Sequence, residues 1–138
     1  MTTIAVRDGV MACDSQITGG FVATKATKVI VGDGVIVGYA GDWIACHCFA
    51  RYLAGLEDEK PERDSEDDME FLILRGSGIY MADHRLREVK LRETFWAIGS
   101  GEQAAMVAMH MGATAKEAVE MAKRVDPYTG GRVREFTL

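Results

Sequence analysis

Three times in 138 residues, a run of β-branched and apolar residues meets a tight-turn signal and is answered by a second such run. Thr2 to Val6 (TTIAV) leads into Asp8-Gly9 and returns as Val10 to Cys13. Lys28 to Val31 (KVIV) leads through Gly32-Asp33-Gly34 into Val35 to Ala40 (VIVGYA), and Met69 to Arg75 leads around Gly76-Ser77-Gly78 into Gly78 to Ala82. Turn residues that tolerate positive φ, set between short strand-forming runs, are the signature of β-hairpins. The runs are apolar on both faces, so the sheets they build are expected to be covered on both sides.

Between the hairpins the period changes. From about Asp42 to Leu56, the apolar positions Trp43, Ile44, Cys48, Ala50, Tyr52 and Leu53 fit a well-buried helix. Residues 57–68 (EDEKPERDSEDD) are charged throughout and carry Pro61, which predicts an exposed acidic connector. Phe95 to Ile98 reads as a short strand running into Gly99-Ser100-Gly101. Two helices follow, Glu102 to Met111 and Thr114 to Lys123, the second opened by a Thr114/Glu117 capping box. Arg132 to Leu138 reads as a closing strand. Hairpins with helices in separate blocks predict an α+β layered fold, in one domain spanning 1–138, and not alternating βαβ units.

Composition narrows the function. A formal net charge of -5 offers no general attraction to phosphate backbones, so nucleic acid is not an expected partner. The apolar stretches are strand-length, and no basic segment followed by an apolar one opens the chain, so neither a membrane span nor a secretory signal is expected. Three cysteines without framework spacing read as reduced thiols, and the expectation is a cytoplasmic protein. Cys46-His47-Cys48 invites a metal reading, but three successive helical residues point in different directions, so no metal is expected. Gly99-Ser100-Gly101-Glu102-Gln103-Ala104 fits a dinucleotide fingerprint, yet the second strand with its acidic residue is missing. No cofactor is expected.

Thr2 carries the remaining chemistry. Once Met1 is removed, this residue offers a hydroxyl nucleophile and a free α-amine. The amine has an ordinary pKa of roughly 7.7–8.0, suited to taking the hydroxyl proton at neutral pH. Alone, a Met-Thr start means little; the strings around it give it weight. Thr2-Thr3-Ile4 opens a strand, and Cys13-Asp14-Ser15-Gln16-Ile17-Thr18 ends its hairpin partner. Lys28-Val29 opens the next hairpin, and Gly38-Tyr39-Ala40-Gly41 ends it before a helix. Ile98-Gly99-Ser100-Gly101 and Asp126-Pro127-Tyr128-Thr129-Gly130-Gly131 complete the set. In this order the six strings resemble the proteasome β-subunit and HslV-type threonine proteases, which are N-terminal-nucleophile (Ntn) hydrolases.

The resemblance implies an αββα four-layer sandwich, two antiparallel sheets between helical layers, and a peptidase that hydrolyses peptide bonds. It assigns Thr2 as nucleophile, Lys28 as the cation beside it, Asp14 as the carboxylate that fixes Lys28, and the Gly41 amide as oxyanion donor. Ser100, Asp126 and Thr129 match the residues that hold the N-terminal threonine. Thr18 matches the position whose backbone pairs with an extended peptide. Ile17, Ala26, Ile30, Tyr39 and Trp43 match the pocket for the residue before the scissile bond, an apolar set that implies small or medium apolar side chains. A peptide or unfolded-protein substrate, a homo-oligomer that can close into a ring, and an ATP-dependent unfoldase partner are further implications. The interval between Gly41 and Gly99 is short for this family, which implies the loss of one helix, and the C-terminal end is short as well. Asp42 stands where a second glycine is usual, and reads as a helix N-cap. A catalytically inactive ring or interaction subunit is the competing expectation.

Overall fold

The computed structural model describes residues 2–16, 27–62 and 68–138. The first hairpin is β1 (Thr3–Arg7) and β2 (Val10–Cys13), and the second is β3 (Val29–Gly32) and β4 (Val35–Gly41). Helix α1 (Trp43–Leu53) follows, then the third hairpin, β5 (Met69–Arg75) and β6 (Gly78–Ala82). The chain continues through β7 (Glu88–Lys90), β8 (Phe95–Gly99), α2 (Glu102–His110), α3 (Ala115–Val125) and β9 (Arg134–Thr137). All three expected hairpins form, with antiparallel registers such as Arg7↔Val10, Gly32↔Val35 and Arg75↔Gly78.

Strand β7 was not anticipated. Its three residues are exposed and carry no periodic signal. It exists because its backbone pairs with β6, Met81 opposite Val89, after a turn in which the Asp83 carboxylate accepts the Arg85 and Arg87 amides. Helix α1 begins one residue later than the apolar pattern suggested. The Asp42 side chain accepts the Ala45 amide at 2.9 Å, so this aspartate caps the helix. Thr114 and Glu117 form the capping box at α3.

The strands make two antiparallel sheets, ordered β8-β1-β2-β9 and β3-β4-β5-β6-β7. Period-two alternation sorts their side chains into three apolar layers. Ile4, Val6, Met11, Ile36, Leu72 and Ile98 fill the space between the sheets. Val37, Tyr39, Phe71 and Ile73 point the other way, against Phe49 and Ala50 of α1. On the far side, Ala5, Ala12 and Ala97 meet Ala105, Met109, Ala118 and Val119 of α2 and α3. The result is the expected α/β/β/α stack of layers. Residues 57–60 of the acidic connector are exposed, as expected; 63–67 lie outside the described residues.

Gly38 sets the spacing of the two sheets. A Cβ there would sit 2.8 Å from Ile4 Cγ2 and 2.9 Å from Met11 Sδ, both in the opposite sheet. Closely apposed sheets bring six strand ends to one edge of the sandwich. These are the starts of β1, β3 and β5 and the ends of β2, β4 and β8, matched by Thr3↔Gly99, Ile4↔Cys13 and Gly41↔Met69.

Two outcomes test this packing. Gly38→Val overfills the interior and should cost on the order of 1–3 kcal/mol, read as a lower urea midpoint at unchanged slope. Burial, reinforced by the neighbouring Asp14, pushes the Cys13 thiol up to about 11, and Cys46 is buried while Cys48 is exposed. Native iodoacetamide treatment should therefore modify Cys48 alone, with three adducts appearing after denaturation. A second adduct in the native state would show that the interior opens.

Candidate active site

At the edge where the six strand ends meet, Asp14 is fully buried just beyond the end of β2. One carboxylate oxygen, Oδ1, accepts from Thr2 Oγ1 at 2.8 Å, the Thr3 amide at 3.0 Å and Lys28 Nζ at 2.9 Å. Its other oxygen, Oδ2, accepts from the Gly130 amide at 3.0 Å and more loosely from the Gln16 amide at 3.4 Å. Lys28 is only 4% exposed, and its ammonium also donates to the Gln16 carbonyl. Burial draws the Lys28 pKa below the ordinary lysine value, against the opposing pull of Asp14. A single carboxylate thus ties the start of β1, the approach to β3 and the turn before β9.

A second set of bonds closes around Thr2 and Thr3 from the α3 side. Asp126, the C-cap of α3, accepts on Oδ2 from Ser100 Oγ and from Thr129 Oγ1, each at 2.5 Å. With its proton committed there, Thr129 accepts from Thr3 Oγ1 at 2.6 Å. Ser100 Oγ also lies 3.3 Å from the Thr2 carbonyl oxygen, but its one proton goes to the shorter, charge-assisted partner. Partial desolvation works to raise the Asp126 pKa, yet the bonds from Ser100, Thr129 and the Tyr128 amide outweigh it and hold the carboxyl below its usual range.

Two glycines let backbone approach this centre. Gly99 has φ +98°, and a Cβ on it would fall 2.0 Å from the Thr2 carbonyl oxygen. Gly41 has φ +123°, and a Cβ there would fall 2.0 Å from the Asp68 carbonyl oxygen. Both conformations are costly for other residues. Thr2, Ala40, Gly41, Gly99 and Ser100 line a cleft of about 460 Å³, together with Asp68, Glu70 and Glu102.

Of the residues singled out from sequence, Thr2, Asp14, Lys28, Gly41, Ser100, Asp126 and Thr129 gather at this edge. The apolar set is placed differently. Ile30 and Tyr39 are buried in the layer beneath α1 and do not line the cleft at Thr2. The Tyr39 hydroxyl and the Trp43 indole both donate to the Thr27 carbonyl, and Trp43 flanks a separate apolar depression with Ile44, His47 and Cys48. Ile17, Thr18 and Ala26 lie outside the described residues. Sequence reasoning passed over Thr3, Gly99, Asp68, Glu70 and Glu102. Glu70 could have been noticed as the one charge inside the apolar run of β5, whereas Asp68 was hidden in the acidic connector. Among the described residues no group of three or more His, Cys, Asp or Glu side chains could hold a metal ion, and no helix is long and apolar enough to cross a membrane.

Two antiparallel sheets stacked between helical layers, with the first residues of β1 at the common edge, make an α/β/β/α sandwich. Solved structures specify it further. BPH from Thiobacillus denitrificans in complex with epoxomicin superposes with a TM-score of 0.73 at 23% identity, over 99% of this chain and 97% of that one. A second structure of the same protein gives the same score and identity, with 96% of that chain covered. HslV from Trypanosoma brucei superposes at 0.71 with 16% identity, over 98% of this chain and 97% of that one. No family profile and no curated protein matches the sequence. The fold is of the HslV type.

The Asp14 bonds predict an asymmetry in stability. Asp14→Ala removes the acceptor of Thr2, Thr3, Gly130 and a buried ammonium at once, and should cost about 3–5 kcal/mol in denaturant unfolding. Lys28→Met leaves the carboxylate its hydroxyl and amide donors and should cost clearly less. Equal losses would show that the ion pair alone, and not the wider set of bonds, holds this edge together.

Proposed function

We propose that the chain is a threonine-type peptidase in which Thr2, freed by removal of Met1, is the nucleophile. The observation that carries this reading is the buried Thr2 hydroxyl, 2.8 Å from the same Asp14 oxygen that holds Lys28, on the wall of an open cleft. The HslV-type fold is in keeping with it.

In this mechanism the Thr2 α-amine takes the hydroxyl proton as Oγ1 attacks the substrate carbonyl. The Lys28 ammonium disfavours protonation of that amine and stabilises the developing alkoxide. The Gly41 amide donates to the tetrahedral oxyanion, at the start of α1 where the helix dipole favours negative charge. Collapse of the intermediate breaks the C–N bond. The amine returns its proton to the departing nitrogen and leaves an ester on Thr2, which a water molecule then hydrolyses by the same steps. Ser100, Asp126 and Thr129 form the bonded set that holds the Thr3 hydroxyl, and with it the start of β1, beside the cleft. The reading extends to a cytoplasmic homo-oligomer that closes into a ring supplied by an ATP-dependent unfoldase. Val107 on α2 and Met111 at its C-cap, with Met121 and Val125 on α3, are exposed apolar side chains that such an assembly would cover.

A non-catalytic subunit of the same fold is the competing reading. The three carboxylates of the cleft favour it, since they oppose Lys28 and favour a protonated amine.

Intact mass after incubation with epoxomicin, the compound bound in the neighbouring BPH structure, separates the two. The expected result is a chain lacking Met1 and carrying one inhibitor, with no adduct on Thr2→Ala. Lys28→Met, folded by circular dichroism, should lose on the order of 10²–10³ in peptide turnover. An unmodified wild-type chain without Met1, or a Thr2→Ala protein as active as wild type, would refute the mechanism.

A further inference from the structure

Glu70 occupies a position that the fold reserves for apolar side chains. In β5 the residues that share its face, Leu72 and Leu74, are buried between the two sheets. Glu70 pairs with Ala40, which also belongs to that inter-sheet layer, so the row ends in a carboxylate where the next member should be hydrophobic. The row runs out of core at that point because the cleft opens there. Glu70 stands on its wall one register pair from Gly41 and in the same cavity as the Thr2 side chain.

The surroundings do not neutralise it. Asp68 and Glu102 line the same cleft, and its described lining contains no lysine or arginine. Among the described residues, none of the three acids takes part in an ion pair. Lys28 is already committed to Asp14, and the Thr2 amine in the free-base form that the mechanism needs adds no charge. Burial pushes the Glu70 carboxyl up, and repulsion from Glu102 and Asp68 adds to it, with only a Gly99 amide bond opposing. Glu102 in the first turn of α2 and Asp68 beside the connector have ordinary reasons to be where they are. Glu70 does not. Repelling carboxylates in a partly desolvated cleft are relieved by an entering cation, which gains more there than at an open surface.

Building on the peptidase reading, we infer that this cleft selects a peptide substrate carrying a lysine or arginine side chain next to the scissile bond, with Glu70 as the principal specificity-determining residue. The cation sits against Glu70, between Asp68 and Glu102, while the adjacent carbonyl lies at Thr2 and Gly41. The preference differs from the apolar one expected from Ile30, Tyr39 and Trp43, which line no part of this cleft.

The test uses capped peptides that carry lysine, norleucine or glutamate at each position around the scissile bond, cleaved by the wild-type protein and by Glu70→Gln. Lysine should exceed norleucine by about tenfold in kcat/KM at one position, roughly one charge interaction. Glutamate should be disfavoured, the advantage should shrink in 0.5 M salt, and Glu70→Gln should lose most of it while still cleaving the norleucine peptide. Cleavage without any lysine advantage, or an advantage that survives Glu70→Gln, overturns the inference and leaves the peptidase reading standing. If no peptide is cleaved, the peptidase reading fails, and the selectivity of the cleft is read by binding. Amide NMR shifts of Gly41 and Gly99 should then respond to N-acetyl-lysine methylamide more than to its norleucine analogue, in wild type but not in Glu70→Gln. Equal responses overturn the cation site as well.

Discussion

One carboxylate decides where the first residues of this chain lie. Asp14 is buried completely, and its two oxygens accept from a hydroxyl, three backbone amides and an ammonium. Stripping a carboxylate and an ammonium of water is expensive, and the pair alone does not reliably recover that cost. The additional donors change the balance, because each satisfies a lone pair that would otherwise be buried unmet. These donors come from β1, from the approach to β3 and from the turn before β9, so the bonds can form only when both sheets and that turn are in place. The local arrangement at Thr2 is thereby a property of the whole sandwich.

The hairpins were legible because turn chemistry and strand alternation agree over short distances. Asp8-Gly9 has both residues at positive φ, as its turn requires, and the flanking runs sort onto two faces without exception. Both helix caps were legible for a similar reason, since Asp42 and Thr114 act on residues three positions away. Strand β7 was not, because what creates it is pairing with β6 and not its own three side chains.

The gathering of Thr2, Asp14, Lys28, Ser100, Asp126 and Thr129 could not be derived from spacing, for these residues are as far apart as 126 positions when Thr3 meets Thr129. It was reached through an ordered set of short strings that resemble a known family. That route supplied the residues on strand ends and turns but missed those specific to this chain. Glu70 is the clearest case, since a charge within an apolar strand was visible and its meaning depended on where the inter-sheet layer stops. The apolar pocket residues are the complementary case. Apolar character is equally consistent with lining a cleft and with filling a core, and Ile30 and Tyr39 fill the core.

The alanines beneath α2 and α3 have a mechanical consequence. Ala5, Ala12 and Ala97 on the sheet face Ala105, Ala115 and Ala118 on the helices. The long flexible side chain buried here, Met109, belongs to α2, whereas the buried residues of α3 are only Ala115, Ala118, Val119 and Ala122, so the layer under α3 is thin. Long side chains can absorb a small change in volume by switching rotamer, and methyl groups cannot. Helix α3 therefore behaves as a rigid spacer seated on a hard floor, and Asp126 is the tip of that spacer. A methylene added anywhere under the helix would be transmitted along it as displacement of the tip. The tolerance with which Ser100 and Thr129 are held is thus set by methyl groups in the floor beneath the helix.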